Sequence, residues 1–238
     1  MKTRILILLI MVFAIHSCTI GQIKPKVTGS GKVITKERKA SYFNAVKVST
    51  GIDVYLTQGN KESITVEADD NLHEYIRTEI KNNTLKVYSD ANIRKAKAKK
   101  VHITIKDIEK ISASSAGDVF GENTIKTDEL YLSASSAGDI RLNVVVNILN
   151  CDISSSGDIR LEGSADELKA DLSSAGDLNA YDLKTRIATV STSSAGDAKI
   201  FVTEKLKASA SSAGDIYFMG DPKQVDGHSS SAGGIHKK

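Results

Sequence analysis

The sequence predicts an all-β fold, a parallel β-helix (a solenoid) in which coils of about 19–20 residues stack on one another. Three observations predict it. A five-residue phrase, Ser-Ser-Ala-Gly-Asp, recurs through the second half of the chain. Its glycines follow one another at spacings of 21, 19, 19, 20, 18 and 19 residues. Apolar and polar residues alternate on both sides of the phrase, which indicates strands with one buried face.

Each coil is predicted to bend at the Gly-Asp pair of the phrase. We expect glycine there because it tolerates positive φ, and aspartate because it can close an Asx turn on nearby backbone N–H groups. The last copy is degenerate, with Gly234 in place of the aspartate. The predicted turn residues are Gly117, Asp118, Gly138, Asp139, Gly157, Asp158, Gly176, Asp177, Gly196, Asp197, Gly214 and Asp215.

Residues 1–17 are predicted to form a lipoprotein signal peptide. Basic residues precede the apolar run Ile5–Ile15, which is too short to span a bilayer. The ending IHSC at residues 15–18 resembles a bacterial lipobox, which predicts acylation of Cys18. An ordinary cleaved signal peptide is the alternative. We therefore expect an exported cell-envelope protein that is lipid-anchored to the outer membrane, with residues 18–26 as a tether.

Residues 27–105 are predicted to be a β-rich N-terminal portion with interrupted first coils, and residues 106–238 to hold the β-helix repeats. Val48–Val54 resembles a degenerate coil, so the interruption falls at residues 57–100 and the solenoid resumes at Val101. Asp69–Ile80 is predicted to hold a short helix capped by Asp70, followed by a hairpin turn at residues 82–83. The expected strands are Val33–Thr35, Phe43–Val48, Asp53–Leu56, Ile64–Glu67, Leu85–Tyr88 and Val101–Ile105.

Two segments of this portion carry a family resemblance. VSTGIDVYLTQ at residues 48–58, VEADDNLHEYIRTEI at residues 66–80 and the serial Ser-Gly-Asp bends resemble the family called "putative auto-transporter adhesin, head GIN domain". The likeness covers roughly residues 40–235. It implies a right-handed parallel β-helix in an exported bacterial lipoprotein, and it brings no catalytic residues to this chain.

The position three residues after each turn glycine is predicted to form a mostly basic outward stripe. We take Arg141, Arg160, Lys199 and Tyr217 as candidate ligand-binding residues, with Asn179 in the same series. Arginine and lysine in register can hold an anionic polysaccharide or a lipid head group. Exposed charge that serves only solubility is the alternative.

Stacked aspartates raise the question of calcium and of acid–base chemistry. The turn aspartates should lie about 4.8 Å apart, a spacing that calcium could bridge. One such turn per coil differs from the known calcium-binding β-roll, so we expect solvated turns and no metal. Asp152 and Asp171 should be neighbours on an outward face, but no dedicated histidine accompanies them, and we predict no catalytic residues.

The remaining features bound the function. Cys151 falls in an inward column and is predicted to be a buried, free thiol. The run Arg94–Lys100 is predicted to be a solvated edge, since it lacks the interleaved aromatic residues of a nucleic-acid site. Aromatic residues make up only 5% of the chain, which counts against a dedicated sugar-stacking platform.

Together these features predict a non-enzymatic cell-envelope lipoprotein with a repetitive β-solenoid surface for adhesion or ligand binding. The expected partners are the membrane, through the lipid anchor, and a glycan or an envelope protein; no nucleic acid and no cofactor are expected. The alternatives are a polysaccharide-processing β-helix enzyme that uses Asp152 and Asp171, and a purely structural envelope protein.

Overall fold

A computed structural model describes residues 24–238 of the chain. Within that range the fold is all-β, with one short 3₁₀ turn and no α-helix. Cys18 and the predicted signal peptide lie outside the described residues. The strands are β1 (Lys26–Thr28), β2 (Val33–Arg38), β3 (Ala45–Val48), β4 (Asp53–Gln58), β5 (Ser63–Asp69), β6 (Ile76–Lys81), β7 (Thr84–Ser89), β8 (Asn92–Lys95), β9 (Lys99–Ile105), β10 (Lys110–Ser114), β11 (Asp118–Gly121), β12 (Ile125–Ser135), β13 (Asp139–Ser154), β14 (Asp158–Leu172), β15 (Asp177–Thr192), β16 (Ala198–Ala210), β17 (Asp215–Met219), β18 (Gln224–Ser229) and β19 (Gly234–Lys237).

The coils stack through parallel strand pairs, as the repeat predicts. Strands β13, β14 and β15 each run from one Ser-Ser-Ala-Gly-Asp turn to the next and pair in parallel with their neighbours. Inward residues of successive coils are direct partners, for example Leu132 with Cys151 and Cys151 with Ala170. A single hydrophobic core runs from Phe43 to Phe218. A solenoid of this kind is stable because each coil buries its apolar face against the next.

The first coils do not stack in chain order. Strands β3 and β4 form one coil, and β10 and β11 of the next repeat pair with one side of it. Strands β7 and β9 pair in parallel with the other side, so this later stretch of chain lies outside the earlier coil. Val101 does lie in a strand of the stack, as predicted, since it pairs in parallel with Val54. The coils follow one another in chain order only from Lys110, the start of β10.

Antiparallel strands extend the stack at its N-terminal end. Strand β5 pairs with β9, β2 with β5, and β6 with β7. Asn82 and Asn83 have φ of 49° and 56°, which makes the expected hairpin turn between β6 and β7. The predicted short helix is wrong. Only Asp70–Leu72 forms a 3₁₀ turn, and Ile76 already belongs to a strand whose partner, β7, takes up its backbone groups.

Asp69 joins three separate loops at this end of the molecule. Its side chain is fully buried, and its Oδ1 accepts hydrogen bonds from the backbone N–H groups of Lys97 and Ala98, both at 3.0 Å. Its Oδ2 accepts the N–H of Gly31 at 2.7 Å. Burial by itself would raise the pKa of Asp69, but these backbone donors together hold it below its ordinary value. Asp69 is therefore an ionised anchor for the N-terminal portion.

The predicted tether and the predicted solvated edge meet in a small second sheet. Strand β1 begins at Lys26, inside the tether, and pairs in parallel with β8, inside the basic run. The register places Lys26 beside Asn92 and Val27 beside Ile93. The basic run is thus not a free edge over its whole length, because residues 92–95 have a strand partner.

Candidate functional site

In the Ser-Ser-Ala-Gly-Asp turns, the residues with a left-handed backbone conformation (positive φ) are the two before the glycine. In every copy the second serine and the following alanine (serine at position 156) have φ between 50° and 64°. The turn glycines from Gly117 to Gly233 do not have positive φ. For a residue other than glycine, this conformation costs about 1–2 kcal/mol relative to a right-handed one, because the Cβ atom approaches the following carbonyl oxygen. Hydrogen bonds between coils offset that cost, as in Ala116 N–H to the carbonyl of Ser136 at 3.1 Å.

Glycine is needed for a different reason than the sequence suggested. A Cβ atom on Gly157 would lie 2.5 Å from the carbonyl carbon of Ala134 and 2.6 Å from the backbone nitrogen of Ser135. At Gly138 the nearest backbone atoms of the preceding coil are 2.6 Å away. Glycine therefore lets adjacent coils approach each other closely, and the expectation of positive φ at this position is wrong.

The turn aspartates form a column along the stack, but they link coils instead of closing Asx turns. The Oδ1 atoms of Asp118, Asp177 and Asp197 each accept the N–H of the next aspartate in the column, at 3.1–3.2 Å. Partial loss of hydration raises the pKa of Asp118 and Asp158 above the ordinary value, and neighbouring carboxylates add to the rise. Within residues 24–238 no group of acids, histidines and cysteines is arranged to hold a metal ion.

The residues three after each turn glycine form a second column, which we call the +3 column. Its central members are direct strand partners: Arg141 with Arg160, Arg160 with Asn179, and Asn179 with Lys199. Lys199 is in turn the partner of Tyr217. The arginines and the lysine are exposed, whereas Asn179 and Tyr217 are half-buried. The structure thus brings all of the predicted ligand-binding residues into one line.

Aromatic side chains stand at one end of the +3 column. Phe120 is the strand partner of Arg141, and the Arg141 guanidinium carbon lies 5.5 Å from the centre of the Phe120 ring. Tyr55 stacks on Phe120 with ring centres 5.4 Å apart, and His102 stacks on Tyr55 at 5.2 Å. These three rings extend the column onto the N-terminal coils.

A second aromatic group stands at the other end. Tyr217 and His236 are strand partners, and their rings stack with centres 5.0 Å apart. The Tyr217 hydroxyl donates to Asp215 at 3.2 Å, and this bond raises the pKa of Tyr217. Sequence reasoning named Tyr217 but missed Phe120 and His236, although both follow a turn glycine by three residues. The place of Tyr55 in this column could not be predicted from the repeat, because its coil stacks between those of His102 and Phe120, out of chain order.

An open groove of about 350 Å³ lies between the aspartate column and the +3 column. Four carboxylates and three cationic groups line it, together with the Asn179 amide. The lining charges nearly balance, and one pair is in contact, since the Arg141 guanidinium lies 3.6 Å from the Asp139 carboxylate. The charged residues of the lining are Asp139, Asp158, Asp177, Asp197, Arg141, Arg160 and Lys199. The groove can therefore offer hydrogen-bond donors and acceptors in alternation over four coils.

The second predicted acidic pair lies on another face. Asp152 and Asp171 are exposed strand partners that border a shallow groove of about 310 Å³ whose other polar side chains are all serines. His228 belongs to the same outward column but is separated from Asp171 by the coils of Ser191 and Ser209. The structure thus brings the two carboxylates together, with no histidine and no cation in the groove lining.

Cys151 is buried and free, as its place in the inward column predicts. Burial raises the pKa of its thiol far above the ordinary value, so the reactive thiolate is suppressed. Residues 24–238 contain no helix with the length and apolar character that a membrane span requires.

Comparison with known proteins places this geometry in context. The model of the family described as "Putative auto-transporter adhesin, head GIN domain" matches residues 42–222. A putative adhesin from Bacteroides fragilis NCTC 9343 has a similar structure, with a TM-score of 0.83 and 27% identity over 89% of this chain and 100% of that one. No curated protein matches the chain significantly.

Two further structures share the fold at lower identity. A putative adhesin from Parabacteroides merdae ATCC 43184 has a TM-score of 0.72 at 23% identity, over 90% of this chain and 99% of that one. A protein from Parabacteroides distasonis ATCC 8503, described as a putative lipid binding protein, has a TM-score of 0.72 at 22% identity over the same shares of the two chains. They show that the solenoid is common to proteins given different descriptions.

Proposed function

This chain belongs to the putative auto-transporter adhesin, head GIN domain family, and from that premise we propose that it is a non-enzymatic adhesion protein of the bacterial cell envelope. Its ligand is an extended glycan that lies along the +3 column. The observation that carries this proposal is the unbroken strand register from Tyr55 to Tyr217, which sets aromatic rings at both ends of a row of polar side chains.

The dimensions of the column suit a linear polymer. Tyr55 and Tyr217 are separated by six strand-to-strand steps, or about 29 Å at about 4.8 Å per step. The groove beside the column is open along its length, so a chain can cross it without threading. A repeating surface that contacts a repeating ligand gains affinity from many weak contacts, each with an effective concentration set by the others.

The chemistry of the groove favours hydroxyl groups over a polyanion. Carboxylates of the aspartate column accept hydrogen bonds from hydroxyls, and Arg141, Arg160 and Asn179 donate to them. The acidic groups of a polyanion in this groove would lie close to the carboxylates of the aspartate column as well as to the cations of the +3 column. Repulsion between these like charges would weaken binding. Apolar contact of sugar rings with the outward edges of Phe120 and Tyr217, whose faces pack on neighbouring side chains, would hold the two ends. We therefore propose a neutral glycan as the preferred ligand.

Binding measurements on a panel of linear glycans test this proposal. Arg160→Ala, at the centre of the column, should weaken binding to a neutral glycan by about tenfold, the effect of losing one well-placed hydrogen-bonding cation. Phe120→Ala should weaken it by a similar factor, because the ligand loses an apolar contact and Arg141 loses the ring it packs on. The matched control is Lys184→Ala, which removes an exposed cation from another part of the coil and should leave affinity unchanged. Equal affinity of all three variants and the parent would refute the site.

The same panel separates adhesion from catalysis. An adhesion protein releases no new reducing ends or unsaturated products from the glycans it binds. Turnover that disappears in Asp152→Asn or Asp171→Asn would instead establish the polysaccharide-processing alternative, with those neighbouring carboxylates as its acid–base groups.

Anchoring at Cys18 completes the proposal. The signal-like residues 1–17 and the lipobox-like ending support acylation of Cys18 and attachment to the outer membrane. Cys18→Ala should move the protein from the membrane fraction to the soluble fraction of cells. Equal partitioning of the variant and the parent would contradict lipid anchoring without affecting the glycan site.

A further inference from the structure

The N-terminal end of the solenoid carries a cluster of exposed cations that the glycan site does not use. We call Lys24, Lys26, Arg94, Lys95 and Lys97 the N-terminal basic patch; all five are exposed. They come together because β1 pairs with β8, which brings residues 24–28 beside residues 92–97. The pairing therefore concentrates charge that is divided between two distant parts of the sequence.

The patch is not neutralised by the acids around it. The nine ion pairs among residues 24–238 involve none of its five members. Two nearby acids are already engaged: Asp90 forms an ion pair with Arg77, and buried Asp69 accepts backbone N–H groups. Within the patch, Lys24 Nζ donates to the Ser89 carbonyl at 2.7 Å, which leaves its other protons for a ligand.

A cavity of about 540 Å³ opens at one side of the patch, where Lys24 and Lys26 form part of its wall. Lys24, Lys26 and Lys99 line it, and Thr50 and Asn92 add polar groups. No carboxylate and no aromatic ring is among its lining residues. Lys99 Nζ also donates to the carbonyl of Gly51, which fixes that ammonium group at the cavity wall. Three ammonium groups around a cavity whose lining has no acid offer the donors and the positive charge that a phosphate group needs.

We propose that the N-terminal basic patch binds anionic membrane lipids, with a head-group phosphate in the lysine-lined cavity. The absence of aromatic rings from the cavity lining argues against a single-stranded nucleic acid, whose bases would be stacked as well as its phosphates neutralised. The position in the chain argues for a membrane. Residue 24 follows Cys18 by six residues, so an extended chain places it within about 20 Å of that residue.

This step rests on the proposed anchor for the choice of a membrane as the partner and for the orientation of the molecule. If Cys18 is acylated, the patch faces the bilayer surface that carries the anchor. Basic side chains near an anionic surface each contribute about 1 kcal/mol, and such a patch commonly acts as the second attachment signal beside a lipid chain. The solenoid would then stand with its N-terminal coils on the membrane and its +3 column extending away from it.

The test uses the unacylated chain that starts at residue 19, because the core and the strand pairs all lie within residues 26–238. It is mixed with phosphatidylcholine vesicles with and without phosphatidylglycerol, and binding is measured by co-sedimentation. Binding should require phosphatidylglycerol and should fall as salt is raised. Inorganic phosphate at the same phosphate concentration should not displace the protein, because a single ion lacks the charge of a surface.

The variant Lys24→Gln/Lys26→Gln/Lys95→Gln should bind phosphatidylglycerol vesicles on the order of 100-fold more weakly, from about fivefold per lysine. Circular dichroism should show an unchanged fold. Its glycan affinity should equal that of the parent, so failure of the membrane site and failure of the glycan site give different results.

The matched control is Lys184→Gln/Lys205→Gln/Lys207→Gln, which removes the same charge from exposed positions on later coils. It should bind vesicles as the parent does. An equal loss in the control would mean that only net charge matters, and unchanged binding of the first variant would place the lipid contact elsewhere. Either result would overturn the proposal, as would equal binding to vesicles of phosphatidylcholine alone.

Discussion

Replacing Gly157 by alanine would place a methyl group against the backbone of the preceding coil. The new Cβ would lie 2.5 Å from the Ala134 carbonyl carbon, whereas carbon atoms pack at about 3.5–4.0 Å. The contact atoms belong to backbone, so no side chain can rotate away. Two neighbouring coils must therefore separate by about 1 Å next to their strand pairs. We expect a cost of about 2 kcal/mol, within the range for overpacking a well-packed interior.

Thermal and urea unfolding followed by circular dichroism would measure this cost. For a domain of this size, about 2 kcal/mol corresponds to a decrease in Tm of about 4–8 °C. Gly196→Ala should cost less, because its nearest atoms are 3.0 Å (Gly176 O) and 3.3 Å (Leu172 Cβ) away. Ser156→Ala is the control, since alanine occupies this position in the other turns and φ there is 58°.

The ranking of the three variants by loss of stability tests whether close approach of the coils is the reason for glycine. Close approach of coils predicts that Gly157→Ala is the most destabilising, Gly196→Ala is intermediate and Ser156→Ala is near neutral. Equal effects of the two glycine substitutions, or a Gly157→Ala variant as stable as the parent, would refute the explanation.

Three further predictions concern buried or crowded polar groups. Cys151 should react with a thiol reagent only after denaturant is added, because burial raises its pKa and blocks access; fast labelling of the native protein would contradict this. Asp69→Asn should cost about 1–3 kcal/mol at neutral pH, since one amide oxygen cannot accept all three backbone N–H groups. Because the folded pKa of Asp69 is lowered, the parent loses this advantage as pH falls below about 4, and urea titrations at several pH values should show the two proteins converging. Asp158→Asn should instead stabilise the protein at pH 7 by up to about 1 kcal/mol, since neighbouring carboxylates about 4.8 Å away repel by about 0.9 kcal/mol in water. Because the folded pKa of Asp158 is raised, this gain should vanish as pH falls through that pKa and the carboxylate is protonated. A gain in stability that grows in acid would contradict this explanation.

The repeat period was enough to predict the solenoid, its inward columns and the alignment of Arg141 with Arg160. These follow from strand alternation and from a fixed spacing, both of which are local properties of the sequence. The burial of Cys151 could be predicted in the same way, from its register with Leu132 and Ala170. Within residues 110–238 chain order and stacking order are the same, so the sequence can be laid out as a ladder.

The order of the first coils could not be predicted, because they do not stack in the order in which they occur in the chain. The stack of His102 on Tyr55 and of Tyr55 on Phe120 depends on β9 lying outside β4, which no period in the sequence records. The role of glycine was misjudged for a related reason. Positive φ is a property of one residue, whereas the restriction at Gly157 comes from Ala134 in another coil, which becomes visible only when the coils are stacked.

The placement of the strand irregularities bears on how such a protein can change its length during evolution. The turn glycines of successive coils are 18 to 21 residues apart. The shifts in strand pairing fall between Arg160 and Glu162, between Ala180 and Lys184, and between Thr185 and Ile187, all away from the Ser-Ser-Ala-Gly-Asp turns. The strand register at the turns is therefore the same from one coil to the next, so a whole coil can be added or removed there without disturbing the pairing of its neighbours. Each added coil would lengthen the molecule by about 4.8 Å and supply one more outward position whose residue type is free to vary. Descendants of such duplications would differ in reach and in the order of their contacts, while keeping the same cross-section.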